Sequence, residues 1–309
     1  MIVVIGSINM DLVMRVPRMP HPGETLSGGK FQTIPGGKGA NQAIACARLS
    51  RERGKVAMIA CLGDDAFGTE LRASLRHDDI DDTHVHTIVG MCSGVAAISV
   101  DASGQNSIML AAGANDALSP AHIDAAHDLI ALATVVVLQL EIPIATVRHA
   151  IQLAHACGKI VVLNPAPAQA LPVELLAQLS YLIPNEIEAA MLAGRATSSL
   201  VSDIEIDAVI GELRSLGCTK VLVTLGARGV HAALTDGIQH FSAQRTVAID
   251  TTAAGDTFIG GFVAALADGG SEADAINFGQ RAAALSVARI GAQTSIPYRH
   301  ELLATSVPT

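Results

Sequence analysis

The sequence predicts an α/β protein of three layers, in which helices cover both faces of a mostly parallel sheet, with a second, small β-sheet beside it. Continuous apolar runs such as Ile2–Ile5 are typical of strands that are buried on both faces. From residue 119 onward, such runs alternate with stretches of helical periodicity, which is the pattern of βαβ units. Residues 11–35 are interrupted by prolines and residues 93–111 contain a hairpin pattern, so both segments predict short strands of a smaller sheet.

The composition indicates a compact, enzyme-like protein. The chain has 309 residues, of which 50% are apolar and 16% are charged, so a sizeable core can form. The net charge of −9, with no basic cluster beyond residues 48–55, disfavours a nucleic-acid partner. The longest apolar run, 130–138, is too short to span a bilayer, and the first residues lack the basic start of a signal peptide. The widely spaced cysteines suit reduced thiols, so we expect a cytoplasmic protein with no membrane partner.

The first part of the chain predicts a strand, then helices and strands in turn. Asp64 or Asp65 is placed to cap a helix that runs to His77. Gly104 supplies the freedom that the turn of a β-hairpin needs. The expected elements are helices over 39–49 and 65–77 and strands over 2–5, 56–61, 93–100 and 107–111.

The later part of the chain is more regular. Helices over 119–131, 143–157, 172–179 and 203–216 are expected to alternate with strands over 135–140, 160–163, 181–184 and 220–224. A second hairpin follows at 230–241, around the turn at 235–237. Helices over 255–267 and 271–288 complete the fold.

Polar side chains follow the predicted strands at the end where parallel sheets bind ligands. They are Ser7, Asn9, Asp11, Glu141, Asn164, Asn185, Glu188, Thr224–Gly226 and the segment 250–256. Any one of them alone is equally well explained as a helix cap or a turn residue. Because the whole set would gather at one edge of the sheet, we expect a binding site there.

The segment 250–258, with the sequence DTTAAGDTF, gives the most specific signal. The small residues 253–255 allow the backbone to approach a ligand closely, and a helix begins there with free N–H groups that can bind an anion. Asp256 lies in the first turn of that helix, where the helix dipole favours a negative charge. The alternative is that Asp256 does no more than complement the dipole. A carboxylate beside an anion hole can instead take a hydroxyl proton during phosphoryl transfer.

At this point the sequence resembles the ribokinase branch of the PfkB carbohydrate kinase family. The resemblance covers nearly the whole chain and depends on several motifs in the family's order. These are GSINMD at 6–11, GGKGANQ at 36–42, NPAPA at 164–168, PNE at 184–186, TLG at 224–226, the segment 250–258 and GAQTSIP at 291–297. It implies a Rossmann-like three-layer core at 1–10, 36–92 and 112–309 that binds nucleotide and sugar, with a β lid at 11–35 and 93–111.

The resemblance implies an ATP-dependent kinase that phosphorylates the 5-hydroxyl of D-ribose, with Asp256 as the catalytic base. Ala253, Ala254 and Gly255 would form the anion hole with it. The implied sugar ligands are Asn9, Asp11, Gly37, Lys38, Asn41, Glu141 and Asp256. The implied nucleotide contacts are Asn185, Thr224, Leu225, Gly226, Ala227, Arg228, Gly229, Gly255 and Gln280, the last standing where related kinases often carry Asn or His near adenine.

Two metal ions are implied by the same resemblance. Asn185 and Glu188 match a pattern that organises Mg²⁺ through water, a mode in which the ion keeps most of its waters. A K⁺ site, filled mostly by backbone carbonyls, is implied at Asp250, Thr252, Ser286, Arg289, Gly291 and Ser295.

Alternatives remain open at this stage. The substrate could be another pentose, such as 2-deoxyribose, or a nucleoside. A non-catalytic sugar sensor is less favoured, because Gly255 and Asp256 are both present. A dinucleotide-binding oxidoreductase is disfavoured, because residues 6–9 lack the G-x-G-x-x-G pattern. His84 and His86 are interpreted as members of a solvated loop, and the small sheet predicts a homodimer that covers its apolar face.

Overall fold

Nine strands form one sheet and four form another in the computed structural model, which describes residues 1–27, 29–196 and 202–304. The large sheet contains β1 (Ile2–Ile5), β4 (Val56–Gly63), β5 (Asp81–Ile88), β8 (Val135–Leu138), β9 (Ile160–Leu163), β10 (Tyr181–Leu182), β11 (Val221–Thr224), β12 (Val230–Leu234) and β13 (Gly237–Phe241). The small sheet contains β2 (Asn9–Arg15), β3 (Phe31–Gly36), β6 (Gly94–Val100) and β7 (Asn106–Ala111). The helices are α1 (Lys38–Leu49), α2 (Ala66–His77), α3 (Pro120–Ala125), α4 (His127–Leu132), α5 (Ile144–Ala156), α6 (Val173–Leu176), α7 (Glu186–Leu192), α8 (Asp203–Ser215), α9 (Ala254–Ala267), α10 (Glu272–Ser286) and α11 (Arg299–Ala304).

The large sheet has the order β13-β12-β11-β10-β9-β8-β1-β4-β5. From β5 through β11 every neighbouring pair is parallel, and β12 and β13 then continue as an antiparallel ribbon. The chain runs outward from β1 in one direction to β4 and in the other to β8. The order therefore reverses at β1 and β8, which is where such sheets open a ligand crevice at their carboxyl ends.

The side chains of β1 point alternately to the two faces of the sheet and pack into two separate hydrophobic cores. Ile2 and Val4 pack with residues of α1, α2, α9 and α10, whereas Val3 and Ile5 pack with residues of α3 to α8. Because successive side chains of a strand point to opposite faces, a fully apolar strand buries both. The predicted α/β fold of three layers with a smaller sheet is confirmed.

The small sheet has the order β3-β2-β6-β7. Its central strand β2 pairs antiparallel with β3 and parallel with β6. β2 begins at Asn9, directly after the turn that follows β1, so the two sheets share the polar residues between them. This junction brings Asp11 to the edge of the crevice.

Three sequence predictions are wrong in detail. The helix expected over 119–131 is divided into α3 and α4 at Ala126, where ψ is 14° and the helical geometry is lost. The helix expected over 172–179 is the short α6, which ends in i→i+3 turns at Gln178 and Leu179. His84 and His86 lie in the edge strand β5 rather than in a loop, because residues 81–88 pair in parallel with β4.

Helix α7 was absent from the predicted elements, because its seven residues span fewer than two complete turns and show no clear period. Across the ranges given above, no helix has both the length and the apolar character that crossing a bilayer requires.

Candidate active site

A cleft of about 220 Å³ lies beyond the carboxyl ends of the central strands. It brings together residues from widely separated parts of the chain: Lys38, Asn164, Ala166, Ile183, Asn185, Glu188, Thr224, Thr251, Ala253, Ala254, Gly255, Asp256 and Ile259. Most of these residues follow a strand or open a helix, as the order of the sheet predicts.

A larger and more open cavity of about 600 Å³ lies at the opposite end of α1. Its arginines have partners already: Arg48 is paired with Asp78 at 2.8 Å and Arg299 with Asp268 at 2.9 Å. We assign the chemistry to the smaller cleft, because it contains the converging carboxylates and the open helix terminus.

The beginning of α9 provides the anion hole. Ala253 precedes the helix in the left-handed conformation, with φ of 57°, a strained state for a residue other than glycine. Gly255 is exposed on the cleft wall, and a Cβ atom built there would meet no other residue within 4 Å, so a ligand can approach the backbone at the start of this helix. Free N–H groups at a helix N-terminus bind phosphate oxygens well. This open terminus fits a phosphoryl group.

Asp256 is held by amides of α1. Asn41 Nδ2 donates to Asp256 Oδ2 at 3.1 Å, and Gln42 Nε2 donates to Asp256 Oδ1 at 2.9 Å. The residue is 8% exposed and lies on the wall of the cleft. The carboxylate is thus fixed in orientation and still reachable by a small molecule.

Further polar residues surround Glu141 and Asn9. Ser7 Oγ donates to Glu141 Oε2 at 2.6 Å, and the Lys38 backbone N–H donates to the same oxygen at 3.3 Å. Asn115 Nδ2 donates to Asn9 Oδ1 at 2.8 Å. Three strand ends and the start of α1 therefore converge on one patch of donors and acceptors, a composition that suits a polyhydroxyl compound.

Gly37 is required by this convergence. Its φ is 90°, and a Cβ atom there would stand 2.7 Å from the backbone nitrogen of Asn9. A side chain at this position would push α1 away from β2.

The charges in the site interact strongly. Burial, followed by repulsion from Glu141 and Asp256, raises the pKa of Asp11 to about 7. Burial acts to lower the pKa of Lys38, but attraction from Asp256, Glu141, Glu188 and Asp11 outweighs it, so the pKa lies above its ordinary value. Lys38 is thus the cation that balances a group of converging carboxylates.

The other side of the cleft is formed by α7 and β11. Asn185 and Glu188 form a reciprocal capping box, in which Asn185 N donates to Glu188 Oε2 at 2.8 Å and Glu188 N donates to Asn185 Oδ1 at 2.8 Å. Burial raises the pKa of Glu188, although hydrogen bonding to Asn185 and the charge of Lys38 act in the opposite direction. A water-coordinated Mg²⁺ fits here. Glu188 lies on the cleft wall, and the donor to its Oε1 is the neutral side-chain amide of Asn185 rather than a cation. In the described parts of the chain, no three His, Cys, Asp or Glu side chains cluster as a direct metal site.

The predicted nucleotide residues differ in how they are placed. Thr224 lines the cleft, and a β-bridge joins it to Asn185. Gly226 and Gly229 have positive φ, of 56° and 93°, and give the turn between β11 and β12 its shape. Leu225 is buried and Arg228 pairs with Glu186 at 3.0 Å.

Gln280 lies on α10 and is 8% exposed. With its amide nitrogen turned toward β13, it donates to the carbonyl oxygens of Phe241 and Ser242 at 3.2 and 3.3 Å. Gln280 thus fixes the end of β13, and Ala227 lies in the short 3₁₀ turn of residues 226–228.

The residues predicted for K⁺ connect two loops. Asp250 accepts hydrogen bonds from Thr252 N at 2.9 Å and from Gly291 N at 2.9 Å. The hydroxyls of Ser286 and Ser295 are buried and bonded to nearby carbonyls, and Arg289 pairs with Glu301. The loop before α9 is thereby held against the segment 286–295.

Sequence reasoning missed three residues of this site. Gln42 lies in the GGKGANQ motif but was assigned no role, and Asn115 lies in a short 3₁₀ turn that was not predicted. Gln139 was placed inside a predicted strand. The signal for it was present, because it is the one polar residue in the apolar run 135–140.

Comparisons with known proteins agree with this site. The family described as "pfkB family carbohydrate kinase" matches residues 1–299. The ribokinase of Haemophilus influenzae is 45% identical over 300 residues, covering 97% of this chain and 96% of that protein. A deoxyribokinase of Salmonella typhi is 38% identical and covers 96% and 95% of the two chains. The structure of Arabidopsis thaliana ribokinase complexed with ribose and ATP has a TM-score of 0.89 at 31% identity, with 98% and 97% of the chains covered. A match along almost the entire chain, together with the helix that Asp256 opens, shows that this protein belongs to the pfkB family of carbohydrate kinases.

Proposed function

We propose that this chain transfers the γ-phosphoryl group of ATP to the 5-hydroxyl of D-ribose, giving ribose 5-phosphate and ADP. The observation that carries the proposal is the position of Asp256. Its carboxylate lies in the first turn of α9 next to Gly255, on the wall of the cleft that Lys38 and Glu188 also line. Ribokinases among the relatives and a ribose–ATP complex of a solved relative support ribose as the sugar.

The mechanism follows from what these side chains can do. Asn9, Asp11 and Glu141 would bind the sugar hydroxyls, which leaves the reacting hydroxyl facing Asp256. Asp256 takes the proton of that hydroxyl as the oxygen attacks phosphorus. The N-terminus of α9 and the ammonium group of Lys38 stabilise the negative charge that spreads over the transferring group.

Mg²⁺ would be held through water by Asn185 and Glu188. When bound, it neutralises the phosphate oxygens of ATP. The chain itself supplies orientation, because Asn41 and Gln42 fix the base before the substrate arrives.

The small sheet is proposed to act as a lid over the sugar. Residues 11–35 and 93–111 would form this lid, and the rest of the chain would form the core. Support comes from β2, which carries Asp11 and continues directly from the crevice into the small sheet. Closing such a lid would exclude water and limit wasteful hydrolysis of ATP.

Phosphorylation of 2-deoxyribose is a second candidate, because a deoxyribokinase is among the relatives at 38% identity. Initial rates with ATP and a panel of ribose, 2-deoxyribose, other pentoses and nucleosides separate the two. We expect ribose to have the highest kcat/KM. A higher value for 2-deoxyribose would replace the first assignment with the second.

The catalytic role of Asp256 is tested by Asp256→Asn, which keeps the shape of the side chain and removes the base. We expect kcat to fall by about 10²–10⁴-fold. Turnover close to that of the unmodified chain would remove Asp256 from its assigned role.

Activation by K⁺ is also proposed, at the junction of the 250–252 and 286–295 loops. The support is the pair of hydrogen bonds through which Asp250 joins these loops beside the start of α9. Initial rates in K⁺ should exceed those in Na⁺ at equal ionic strength, and equal rates would contradict the assignment.

A homodimer and a cytoplasmic location complete the proposal. The small sheet exposes Met14, Phe31, Ile108, Met109 and Leu110, whose exposed fractions range from 42% to 68%. Apolar side chains gathered on one small sheet are typical of a surface that a partner covers, and a second copy through the lid is the partner proposed. The free cysteines suit a reducing compartment.

A further inference from the structure

A chain of buried amides runs beneath Asp256 across the ends of three neighbouring strands. Gln139 follows β8, Asn164 follows β9 and Ile183 follows β10. Gln42, on α1, lies between Gln139 and the site. Gln42 and Gln139 are 0% exposed, and such complete burial of glutamine is uncommon in a protein core.

The hydrogen bonds give each amide one orientation. Gln42 Nε2 donates to Asp256 Oδ1 at 2.9 Å and to Asn164 Oδ1 at 3.1 Å. Gln42 Oε1 accepts from Gln139 Nε2 at 2.6 Å. Asn164 Nδ2 donates to the Ile183 carbonyl at 3.0 Å, which turns its oxygen toward Gln42.

Reversing the Gln42 amide would be costly. Its oxygen would face the oxygens of Asp256 and Asn164, and its nitrogen would face the nitrogen of Gln139. Buried donors and acceptors left without partners destabilise a structure more than a single hydrogen bond stabilises it. Gln42 is therefore fixed as a donor to Asp256.

Gln139 shows that this orientation carries a cost elsewhere. Its Oε1 is buried and has no hydrogen-bond partner among the described residues. That oxygen lies against Gly6, where a Cβ atom would approach it to 2.0 Å. A leucine or methionine would fill this position without an unpaired oxygen, so the donor nitrogen is the part of Gln139 that matters.

We propose that Gln42 is a positioning residue for Asp256, and that Gln139 keeps Gln42 in its donating orientation. The proposal rests on the proposed function, in which Asp256 is the catalytic base. Gln42 occupies one site on Oδ1 and Asn41 occupies one on Oδ2, which fixes the rotation of the carboxylate and leaves its remaining lone pairs for the sugar hydroxyl. A donor to the ionised carboxylate also favours that form.

Several charged groups face Asp256 from the elements around it. They are Lys38 on α1, Asp11 on β2 and Glu188 on α7, and Glu141 after β8 acts in turn on Asp11 and Lys38. None of them is changed by a substitution at Gln42. A shift in pH dependence that Gln42→Met causes can therefore be attributed to the lost amide, whereas Gln139→Glu adds a titrating group of its own.

The test compares kcat and KM for ribose across pH in Gln42→Met and Gln139→Glu. Methionine has a similar volume and no donor. The carboxylate introduced by Gln139→Glu would draw the nitrogen of Gln42 away from Asp256. Thr146→Val is the matched control. Thr146, on α5, is 1% exposed, donates a hydrogen bond to the Leu118 carbonyl and does not line the cleft.

In Gln42→Met we expect kcat to fall by roughly 10- to 100-fold, the range for one hydrogen bond to a charged group. The acidic limb of its kcat profile should move to higher pH, with KM changed by less than about threefold, since the sugar ligands are untouched. Gln139→Glu should lose activity progressively as pH rises. Thr146→Val should lower the melting temperature and leave the profile unchanged.

A Gln42→Met enzyme with an unshifted acidic limb would overturn the proposal, as would a Gln139→Glu enzyme as active as the unmodified chain. If neither variant folds, the ¹⁵N shift of the Gln42 amide in the unmodified chain decides, since it must titrate together with kcat. An Asp256→Asn enzyme with near-unmodified turnover would instead remove Asp256 from its role as base, and failure of the unmodified chain to phosphorylate ribose would refute the proposed function itself.

Discussion

The carboxylate of Asp11 lies directly against the α-carbon of Gly36. A Cβ atom at residue 36 would stand 2.4 Å from Asp11 Oδ2, well inside contact distance. The two residues are on the paired strands β2 and β3, at the point where the chain returns toward α1. The position of this carboxylate, which we propose binds the sugar, therefore depends on the absence of a side chain on the neighbouring strand.

Gly36→Ala should displace Asp11 and weaken sugar binding. We expect KM for ribose to rise by about tenfold or more, since a hydrogen bond to a charged group contributes about 1.5–3 kcal/mol, while KM for ATP changes little. Steady-state kinetics measure both values. Gly211→Ala is the control, because a Cβ atom on that residue of α8 meets nothing within 4 Å. An unchanged KM for ribose in Gly36→Ala would contradict the assignment of Asp11.

Sugar binding should depend on pH near neutrality. The pKa of Asp11 is raised to about 7, so the carboxylate proposed to accept sugar hydroxyls becomes protonated below that pH. KM for ribose should therefore increase as pH falls, by about tenfold between pH 8 and pH 6. Asp11→Asn should abolish this dependence, although its KM is high throughout. The same dependence in Asp11→Asn would assign the titration to another group.

Asp11 should also cost stability at high pH. Its folded-state pKa of about 7 exceeds its ordinary value of 3.8, so the folded chain binds more protons between these values, and stability falls as pH rises through that window. Asp11→Asn removes the ionisable group. Its melting temperature should exceed that of the unmodified chain at pH 8 and approach it at pH 4. Equal differences at both pH values would show that burial of this charge is not the cause.

Glu188→Gln should separate the metal role of α7 from its structural role. Glutamine at this position can still accept the Asn185 N–H, so the capping box should be kept, and the melting temperature should fall only slightly through loss of the bond from Asn185 Nδ2. The free Mg²⁺ concentration for half-maximal rate should rise about tenfold, as for other residues that orient metal ligands or waters. An unchanged Mg²⁺ dependence at fixed ATP would move the metal site away from α7.

Ile108→Asp should prevent self-association if the small sheet is the interface. Ile108 is 57% exposed on β7, and a charge there would be buried in the proposed dimer. Light scattering should give the mass of a dimer for the unmodified chain and of a monomer for the variant. Leu132→Asp is the control, since Leu132 is 74% exposed at the end of α4. A monomeric unmodified chain at micromolar concentration would refute the interface.

Much of the fold could be predicted because apolar patterns report burial directly. The strand Ile2–Ile5 and the βαβ alternation after residue 119 indicated the parallel sheet, and Asp65 caps α2 through Gly68 N as its position suggested. The predictions failed where local sequence competes with tertiary contacts. The strand β5 was missed because its pairing partner β4 lies some twenty residues away. Its own sequence is mostly polar, a composition more typical of a loop.

The site was predictable to the extent that its residues lie in continuous motifs. Asp256 and Gly255 were identified from the helix that they open. Asn41 was predicted as a sugar ligand, but Gln42 and Gln139 were not identified, because their role depends on bringing α1 and two strand ends together across the chain. A single glutamine in an apolar run shows that something buried needs a donor, but not which group it serves.

The position of β1 between β4 and β8 has a consequence for how the protein is made. Residues 1–5 are synthesised well before one of their two neighbours, residues 135–138. Asp256 and the rest of α9 follow later still, and its amide partners in α1 must wait for it. The emerging chain thus carries a strand with one unsatisfied edge through a long part of its synthesis, which makes that edge a natural target for chaperones.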